Sequence, residues 1–194
     1  MRNPYDAMAI TVGKSCVMKP NYTDEERDAE NKRQSSTAFA AIYPLLKGHE
    51  MLGLDYGCGY GRLTPMLHEV MQCPVVGYDP SPNMIAASTP KPGIIYTSEL
   101  PAMQAYDVIM AWAVLGSPAI DRAATVRHIS SLLIPGGLLI IGDHIGHRTK
   151  GWWEFRGLGF YQELFDIHNI HLEHAAEIGQ CGEPFSLLCG RKAS

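Results

Sequence analysis

Three glycines, Gly57, Gly59 and Gly61, follow a short apolar run and precede a segment with helical periodicity. Closely spaced glycines between a strand and a helix indicate a sharp turn, because glycine bends freely and lets a ligand approach without a Cβ in the way. Backbone N–H groups at the start of the next helix favour an anionic or polar ligand group. The segment therefore predicts a buried strand, a ligand-binding turn and a helix.

Two acidic residues accompany this turn. Asp55 stands two residues before the first glycine, and Asp79 follows the next apolar run, eighteen residues after Gly61. A carboxylate at Asp55 suits a ligand with a positive amino group and would repel a pyrophosphate beside it. A carboxylate at Asp79 can accept two hydrogen bonds from ribose hydroxyls. Arg62 occupies the third glycine position of a dinucleotide-binding GxGxxG motif, so the pattern favours an aminoacyl ligand over NAD.

The rest of the chain alternates short apolar runs with helical segments. Strands are predicted over 51–56, 74–78, 93–96, 106–111 and 138–142, and helices over 62–71, 81–88 and 121–133. Near-continuous apolar strands separated by helices indicate a parallel sheet that is covered on both faces.

Both ends of the chain carry further signals. Thr23 and Glu26 form a capping box that opens a helix ending at Gly48. After a helix around 161–167, two strand-like runs over 170–178 and 184–190 could pair as a hairpin. The sheet is therefore predicted to end in an antiparallel edge.

These motifs, in this order, resemble the class I S-adenosylmethionine-dependent methyltransferases. LDYGCGYGRL is similar to the first motif of that family, VVGYDPSPNMI to the second, and LLIPGGLLIIGDH to its turn and fifth strand. The resemblance implies an α/β fold, a Rossmann-like three-layer sandwich with a seven-stranded, mostly parallel sheet. Its strand order would be 3-2-1-4-5-7-6, with the seventh strand antiparallel. The cofactor would be S-adenosylmethionine and the product S-adenosylhomocysteine.

The resemblance also implies how the chain is organised. We expect a single methyltransferase domain over 1–194, with an N-terminal lid and helix region at 1–47 and a Rossmann-like core at 48–194.

The resemblance further implies a set of cofactor contacts along one edge of the sheet. Asp55 and the glycine turn would contact the methionine part, Asp79 the ribose, and Pro80 and Met84 the adenine. Polar residues after the third strand would meet the adenine amino group, and residues ending the fourth would border the methionine part. The full set is Asp55, Gly57, Cys58, Gly59, Gly61, Asp79, Pro80, Met84, Ser98, Glu99, Ala111 and Trp112.

The methyl acceptor is expected beyond the carboxyl ends of the strands. His144 is the leading candidate for a general base, because an unperturbed imidazole titrates near neutral pH. Asp143 could orient His144 or act instead. The alternative is that His144 only caps a strand or lines the pocket, since many methyl transfers require no base.

Four residues are candidates for contact with the acceptor: Tyr22, His147, Trp152 and Trp153. The aromatic stretch around the two tryptophans suits an apolar or aromatic acceptor, and ordinary packing of a crossover explains it equally well. Arg33 could meet the carboxylate of the cofactor, or lie on an exposed helix face.

Charge and composition exclude several functions. The formal net charge is −4, so there is no general basic field and no nucleic acid partner is expected. No apolar run approaches the roughly 20 residues that span a bilayer, so no membrane association is expected. The five cysteines are scattered without a CxxC pair, which favours free thiols in the cytoplasm and no metal. His168, His171 and His174 are more typical of a half-exposed strand than of a metal site.

The preferred hypothesis is methyl transfer to oxygen or nitrogen of a small molecule, with the oligomeric state open. A non-catalytic S-adenosylmethionine-binding protein and a nicotinamide-dependent oxidoreductase are the alternatives. Arg62 and Asp55 argue against the oxidoreductase, and turnover with any acceptor would separate the enzyme from the binding protein.

Overall fold

The structure is a computed structural model that describes residues 23–100, 105–117, 120–144, 149–150, 153–154, 156–179 and 184–194. Helices and strands alternate along this part of the chain, as the apolar pattern predicted. In order they are α1 (Asp24–Ile42), a 3-10 turn (Tyr43–Leu45), β1 (Gly53–Tyr56), α2 (Thr64–Met71), β2 (Val75–Tyr78), α3 (Pro82–Ala86), β3 (Ile94–Thr97), β4 (Tyr106–Trp112), α4 (Arg122–Leu132), β5 (Leu133–Asp143), β6 (Thr149–Lys150), β7 (Trp153–Glu154), α5 (Leu158–Ile167), β8 (Ile170–Glu177) and β9 (Ser186–Lys192).

The strands described by the structure form a seven-stranded sheet of order β3-β2-β1-β4-β5-β9-β8 and a separate pair, β6-β7. β9 runs antiparallel to both of its neighbours, and the other pairs of the large sheet are parallel. Counted within the large sheet, the order is 3-2-1-4-5-7-6 with the seventh strand antiparallel, so the predicted Rossmann-like fold is confirmed. The direction changes at the end because only eight residues separate β8 from β9, too few for the crossover that a parallel pair needs.

Helix α1 begins with the predicted capping box. The backbone N–H of Glu26 donates to the Thr23 hydroxyl at 3.2 Å, and the Thr23 N–H donates to the Glu26 carboxylate at 2.7 Å. The α-helix ends at Ile42, earlier than the predicted end at Gly48. Pro44 explains the difference, because it has no N–H with which to continue the helical ladder.

Strand β5 begins earlier than predicted. Leu133 pairs with Tyr106 and Leu138 pairs with Val108, so the intervening Pro135–Gly137 turn is an irregularity within the strand. Extra residues on one strand of a pair bend it locally and leave some of its backbone out of the ladder.

The core lies on both faces of the sheet. Ile109 and Ile141 pack on the face covered by α4 and α5, whereas Val108, Met110 and Ile140 pack on the face covered by α1 and α2. Burial on both faces explains the near-continuous apolar strands, and each large apolar side chain contributes about 1.5–3 kcal/mol.

The last strands and the helices complete the description. β8 alternates as a half-exposed edge strand, with Ile170 buried and His171 and Glu173 exposed. In the ranges that the structure describes, none of the helices combines the length and apolarity needed to cross a bilayer.

Candidate functional site

The turn after β1 has a backbone that favours glycine. Gly57, Gly59 and Gly61 have φ values of 75°, 58° and 81°, in the left-handed region that L side chains rarely adopt. The N–H groups of Gly57 and Cys58 both donate to the carbonyl of Tyr78, at 2.7 and 2.9 Å. These bonds hold the turn against the end of β2, next to Asp79.

Close packing is a second requirement for glycine in this turn. A Cβ on Gly57 would lie 2.5 Å from a methyl group of Val114, and one on Gly61 would lie 2.5 Å from the Tyr96 hydroxyl. The same ring of Tyr96 covers Gly77 on β2. Sequence reasoning missed Tyr96, because an aromatic residue on a strand gives no signal of contact with a distant turn.

Asp79 is bound to the turn through its side chain. One carboxylate oxygen accepts the N–H of Gly59 and the other accepts the N–H of Ser81, both at 2.9 Å. A carboxylate has about four acceptor positions, and two of those of Asp79 hold the turn and the start of α3 in place. The contact with Gly59 confirms that the acidic residue and the glycine turn meet in space.

Asp55 is almost completely buried at the end of β1, with 2% of its surface exposed. The Thr64 hydroxyl donates to its carboxylate at 2.6 Å. Burial raises the pKa of Asp55 to about 7; the charge of Asp79 adds to this, while Thr64 and Arg62 oppose it. A cationic ligand group at this carboxylate would lower its pKa and be attracted by it.

Arg62 connects the glycine turn to α1. Its guanidinium donates to the side chain of Asn31 at 2.8 Å and to that of Gln34 at 3.1 Å. Gln34 in turn donates to Glu30 at 2.8 Å. The residue that replaces the third dinucleotide glycine is thus part of a polar network between α1 and the turn.

Arg33 lies at the far end of this network. It donates to Glu30 at 2.8 Å and to the carbonyl of Gly179 at 3.0 Å, so it joins α1 to the end of β8. This placement favours a structural role over the suggested contact with a cofactor carboxylate.

The residues predicted to surround the adenine lie after β2 and β3. Pro80 is exposed, Ser98 is half-buried and Glu99 is exposed, whereas Met84 is buried within the protein. The N–H of Asp79 donates to the carbonyl of Thr97 at 3.2 Å, so the two loops are adjacent. The structure therefore brings the loop that carries Pro80 next to the loop that carries Ser98 and Glu99, and the contact of these residues with adenine stays a prediction.

Ala111 and Trp112 end β4 and are both buried. The Trp112 ring packs on Phe185 with centroids 5.0 Å apart. Its six-membered ring lies against Gly142, where any Cβ would overlap it. Phe185 and Gly142 were not predicted as site residues, because neither an apolar residue before a strand nor a glycine within one signals contact with Trp112 of another strand.

Asp143 has no exposed surface. Its carboxylate accepts the N–H of Gly116 and the backbone N–H of His144, both at 2.7 Å. It therefore joins the loop after β4 to the end of β5 and contacts the backbone of His144. These contacts place Asp143 beside the candidate base, and its role in orienting His144 or acting in its place stays a prediction.

The imidazole of His144 is oriented by the two residues that directly precede β9. Its Nδ1 lies 2.8 Å from the carbonyl of Pro184, and its ring stands edge-on to Phe185 at 5.0 Å. Because a carbonyl only accepts, this contact assigns the proton to Nδ1 and makes Nε2 the acceptor nitrogen. That tautomer is the one a general base requires.

Of the four predicted acceptor contacts, one lies in the described ranges. Tyr22, His147 and Trp152 lie outside the described residues, and Trp153 is placed on β7. In the neighbouring aromatic stretch, Tyr161 is fully buried in the core, which favours the packing interpretation for that residue. In the same described ranges no cluster of three or more His, Cys, Asp or Glu side chains could hold a metal ion.

The family model described as "Methyltransferase domain" matches residues 25–177, which is most of the chain. The chain belongs to the methyltransferase domain family. No curated protein matches the sequence at a significant level.

Solved structures show the same fold as this methyltransferase domain. Magnesium protoporphyrin IX methyltransferase from Synechocystis PCC 6803, solved with bound S-adenosylmethionine, is 13% identical with a TM-score of 0.75, covering 97% of this chain and 93% of that chain. N-methyltransferase NodS from Bradyrhizobium japonicum WM9, solved with S-adenosylhomocysteine, is 16% identical with a TM-score of 0.72, and 100% of each chain is covered. A complex of the Trm112 methyltransferase activator with a methyltransferase from Haloferax volcanii gives 16% identity, a TM-score of 0.72 and 100% coverage of each chain.

The residues of this methyltransferase domain fit S-adenosylmethionine. Asp55 suits the ammonium group of the methionine part, and Asp79 suits the ribose hydroxyls. The positive-φ turn leaves its backbone open to close approach by the ligand. The donor and acceptor set thus agrees with the cofactor that the family implies.

Proposed function

We propose that this protein transfers the methyl group of S-adenosylmethionine to an oxygen or nitrogen atom of a small molecule. The observation that carries the proposal is the pair of buried carboxylates at the glycine turn, Asp55 held by Thr64 and Asp79 held by Gly59. One carboxylate suits a cation and the other a diol, which are the two polar ends of the aminoacyl nucleoside.

The chain contributes alignment and, where needed, proton removal. S-adenosylmethionine supplies a methyl group on a sulfonium, and its loss leaves S-adenosylhomocysteine. His144 stands at the carboxyl end of β5 with Nε2 as its acceptor nitrogen. It would take the proton from the acceptor O–H or N–H as the new bond to the methyl carbon forms, and return it to water afterwards.

A small acceptor is supported by charge and by the similar structures. The net charge of −4 disfavours long nucleic acids. Two similar structures are a magnesium protoporphyrin IX methyltransferase and an N-methyltransferase. We further propose a cytoplasmic location, since Cys58, Cys73 and Cys189 are free thiols.

Two other outcomes are separable from this proposal. A protein that binds S-adenosylmethionine without turnover would keep both carboxylates yet methylate nothing. One similar chain was solved in complex with an activator protein, so the alternative is a methyltransferase that needs a bound partner protein. A partner that co-purifies would make the measured mass of the purified complex larger than that of this chain. Membership of the methyltransferase family disfavours the nicotinamide alternative.

The cofactor is tested by calorimetric titration with S-adenosylmethionine and, separately, NAD. We expect micromolar binding of the first, none of the second, and loss on Asp79→Ala. Asp166→Ala is the matched control, because this carboxylate is exposed on α5. Failure of the folded wild-type protein to bind S-adenosylmethionine would overturn the proposal.

The acceptor is tested by a screen of phenols, carboxylic acids and amines, with S-adenosylhomocysteine as the product measured. We expect His144→Ala to lower kcat with little effect on cofactor affinity, and His171→Ala, on the exposed side of β8, to change neither. Equal turnover by the His144 and His171 variants would rule out the general base.

A further inference from the structure

The buried indole N–H of Trp112 has no hydrogen-bond acceptor among the described residues. The side chain of Trp112 is 6% exposed. Buried polar groups in native proteins nearly always have a partner, and an exception points to a group that the structure lacks. A ligand acceptor is the natural candidate, because Trp112 ends β4 at the carboxyl edge of the sheet.

The register of the sheet places this indole near Asp55. Asp55 pairs with Met110 on β4, and Trp112 lies two residues further along that strand. Residues two apart on a strand share a face, and Met110 and Trp112 pack with α1 and α2. Asp55 meets Thr64 of α2 on the same face. Trp112 and Asp55 are therefore on one face of neighbouring strands, with Trp112 closer to the edge.

The indole ring is turned so that its N–H faces away from β5. Its six-membered ring lies on Gly142 of β5. The opposite side of the ring carries Nε1, and the strand on the other side of β4 is β1, which bears Asp55. The packing on Gly142 and Phe185 also fixes the ring, so the donor is already oriented before a ligand binds.

We propose that the Nε1–H of Trp112 donates to the carboxylate of the methionine part of S-adenosylmethionine while Asp55 receives its ammonium group. The proposal rests on the proposed function and names a contact within that site. Ammonium and carboxylate are attached to one carbon atom of an α-amino acid, so their partners must lie a few ångströms apart. A carboxylate is a stronger acceptor for a buried N–H than a neutral oxygen is, because hydrogen bonds to a charged acceptor are shorter and stronger.

The wild-type protein provides a direct readout. The sequence has three tryptophans, so 15N-labelled protein gives three indole N–H signals. Trp152→Phe and Trp153→Phe identify the other two without altering Trp112. S-adenosylhomocysteine is titrated in parallel with 5′-methylthioadenosine, which keeps the adenosine and sulfur but lacks the amino-acid arm. We expect the first ligand to move the Trp112 N–H signal downfield and the second to leave it in place.

Affinity provides the second readout. Trp112→Phe is expected to weaken S-adenosylhomocysteine by about 10- to 100-fold and to leave the affinity for 5′-methylthioadenosine unchanged, as for loss of one bond to a charged group. Phe185→Leu disturbs the packing of the same ring but keeps its N–H, so it should lower both affinities alike.

The two proposals fail in different ways. Binding of S-adenosylhomocysteine without a shift of the Trp112 signal, or an equal shift with 5′-methylthioadenosine, overturns this inference and leaves the proposed function intact. If a folded protein binds neither ligand, the proposed function itself is wrong.

Discussion

The hydroxyl of Thr64 donates to the carboxylate of Asp55 at 2.6 Å, across the glycine turn that separates them in sequence. Thr64 is the first residue of α2 and Asp55 lies in β1, so this bond connects the strand before the glycine turn to the helix after it. The bond also holds the Asp55 carboxylate in a position that is almost completely shielded from solvent. The ionisation of this carboxylate therefore depends strongly on the charge of any group that binds beside it.

Cofactor binding should release a proton at slightly acid pH. The pKa of Asp55 is raised to about 7 in the ligand-free protein, and an ammonium group beside it would lower that pKa. Affinity should therefore rise with pH up to about 7 and level off above it. Calorimetry at about pH 6 in two buffers of different ionisation enthalpy measures the released proton, and Asp55→Asn should abolish it. Equal heats in the two buffers for the wild-type protein would contradict the prediction.

The same carboxyl group should make the ligand-free protein less stable as pH rises. In the unfolded chain an aspartate has its ordinary pKa near 3.9, whereas burial raises the pKa of Asp55 to about 7 in the folded protein. The folded state binds the proton more tightly, so its advantage is complete below about pH 4 and is lost as pH rises to about 7. Thermal unfolding should show Asp55→Asn gaining stability relative to wild type between about pH 5 and about pH 8. A constant difference across that range would count against it.

Gly61→Ala should destabilise both the turn and cofactor binding. The new Cβ would meet the Tyr96 hydroxyl at 2.5 Å, and the backbone φ of 81° is unfavourable for alanine. We expect a loss of about 1–3 kcal/mol in chemical denaturation, together with weaker cofactor binding. Gly159→Ala is the matched control, since nothing lies within 4 Å of its Cβ position and it is in α5. Alanine there should be neutral or stabilising by up to about 1 kcal/mol.

Arg62→Met should move the pH dependence of cofactor binding to higher pH. The charge of Arg62 lowers the pKa of Asp55, so its removal raises that pKa further. Arg33→Met removes a guanidinium from the same network, but one that contacts Glu30 and Gly179. Arg33→Met should leave the midpoint of the pH dependence of cofactor affinity unchanged. The affinity of each variant for S-adenosylhomocysteine between about pH 5.5 and about pH 8 is the measurement, and identical midpoints in both would refute the role of Arg62.

Asp143→Asn should destabilise the fold by about 1–3 kcal/mol. Each of its carboxylate oxygens accepts a backbone N–H, from Gly116 or His144, and the amide would place a donor against one of them. Asp166→Asn, on the exposed surface of α5, should stay within about 0.5 kcal/mol of wild type. Urea denaturation compares the two, and a neutral Asp143 variant would show that these bonds contribute little.

The sequence by itself determined the local features of this protein. The spacing of the apolar residues indicated the strands and the helices, and the residue types at their ends indicated the capping box of Thr23 and Glu26 and the sharp turn at Gly57–Gly61. These features could be predicted because each depends on residues close together along the chain. The acidic residues Asp55 and Asp79 were found for the same reason, since each directly follows or ends an apolar run. The order of the strands came from the resemblance of the motifs to a known family.

Only the tertiary structure decided which distant groups act together. Tyr96 over Gly61, Phe185 against Trp112 and the Pro184 carbonyl on His144 join residues 35, 73 and 40 positions apart. The structure likewise showed that Asp143 accepts the backbone N–H groups of Gly116 and His144. Such contacts are set by the pairing of β4, β5 and β9 and by the packing of helices on the sheet. Local propensity cannot specify them, because their energy depends on which surfaces meet after the chain has closed.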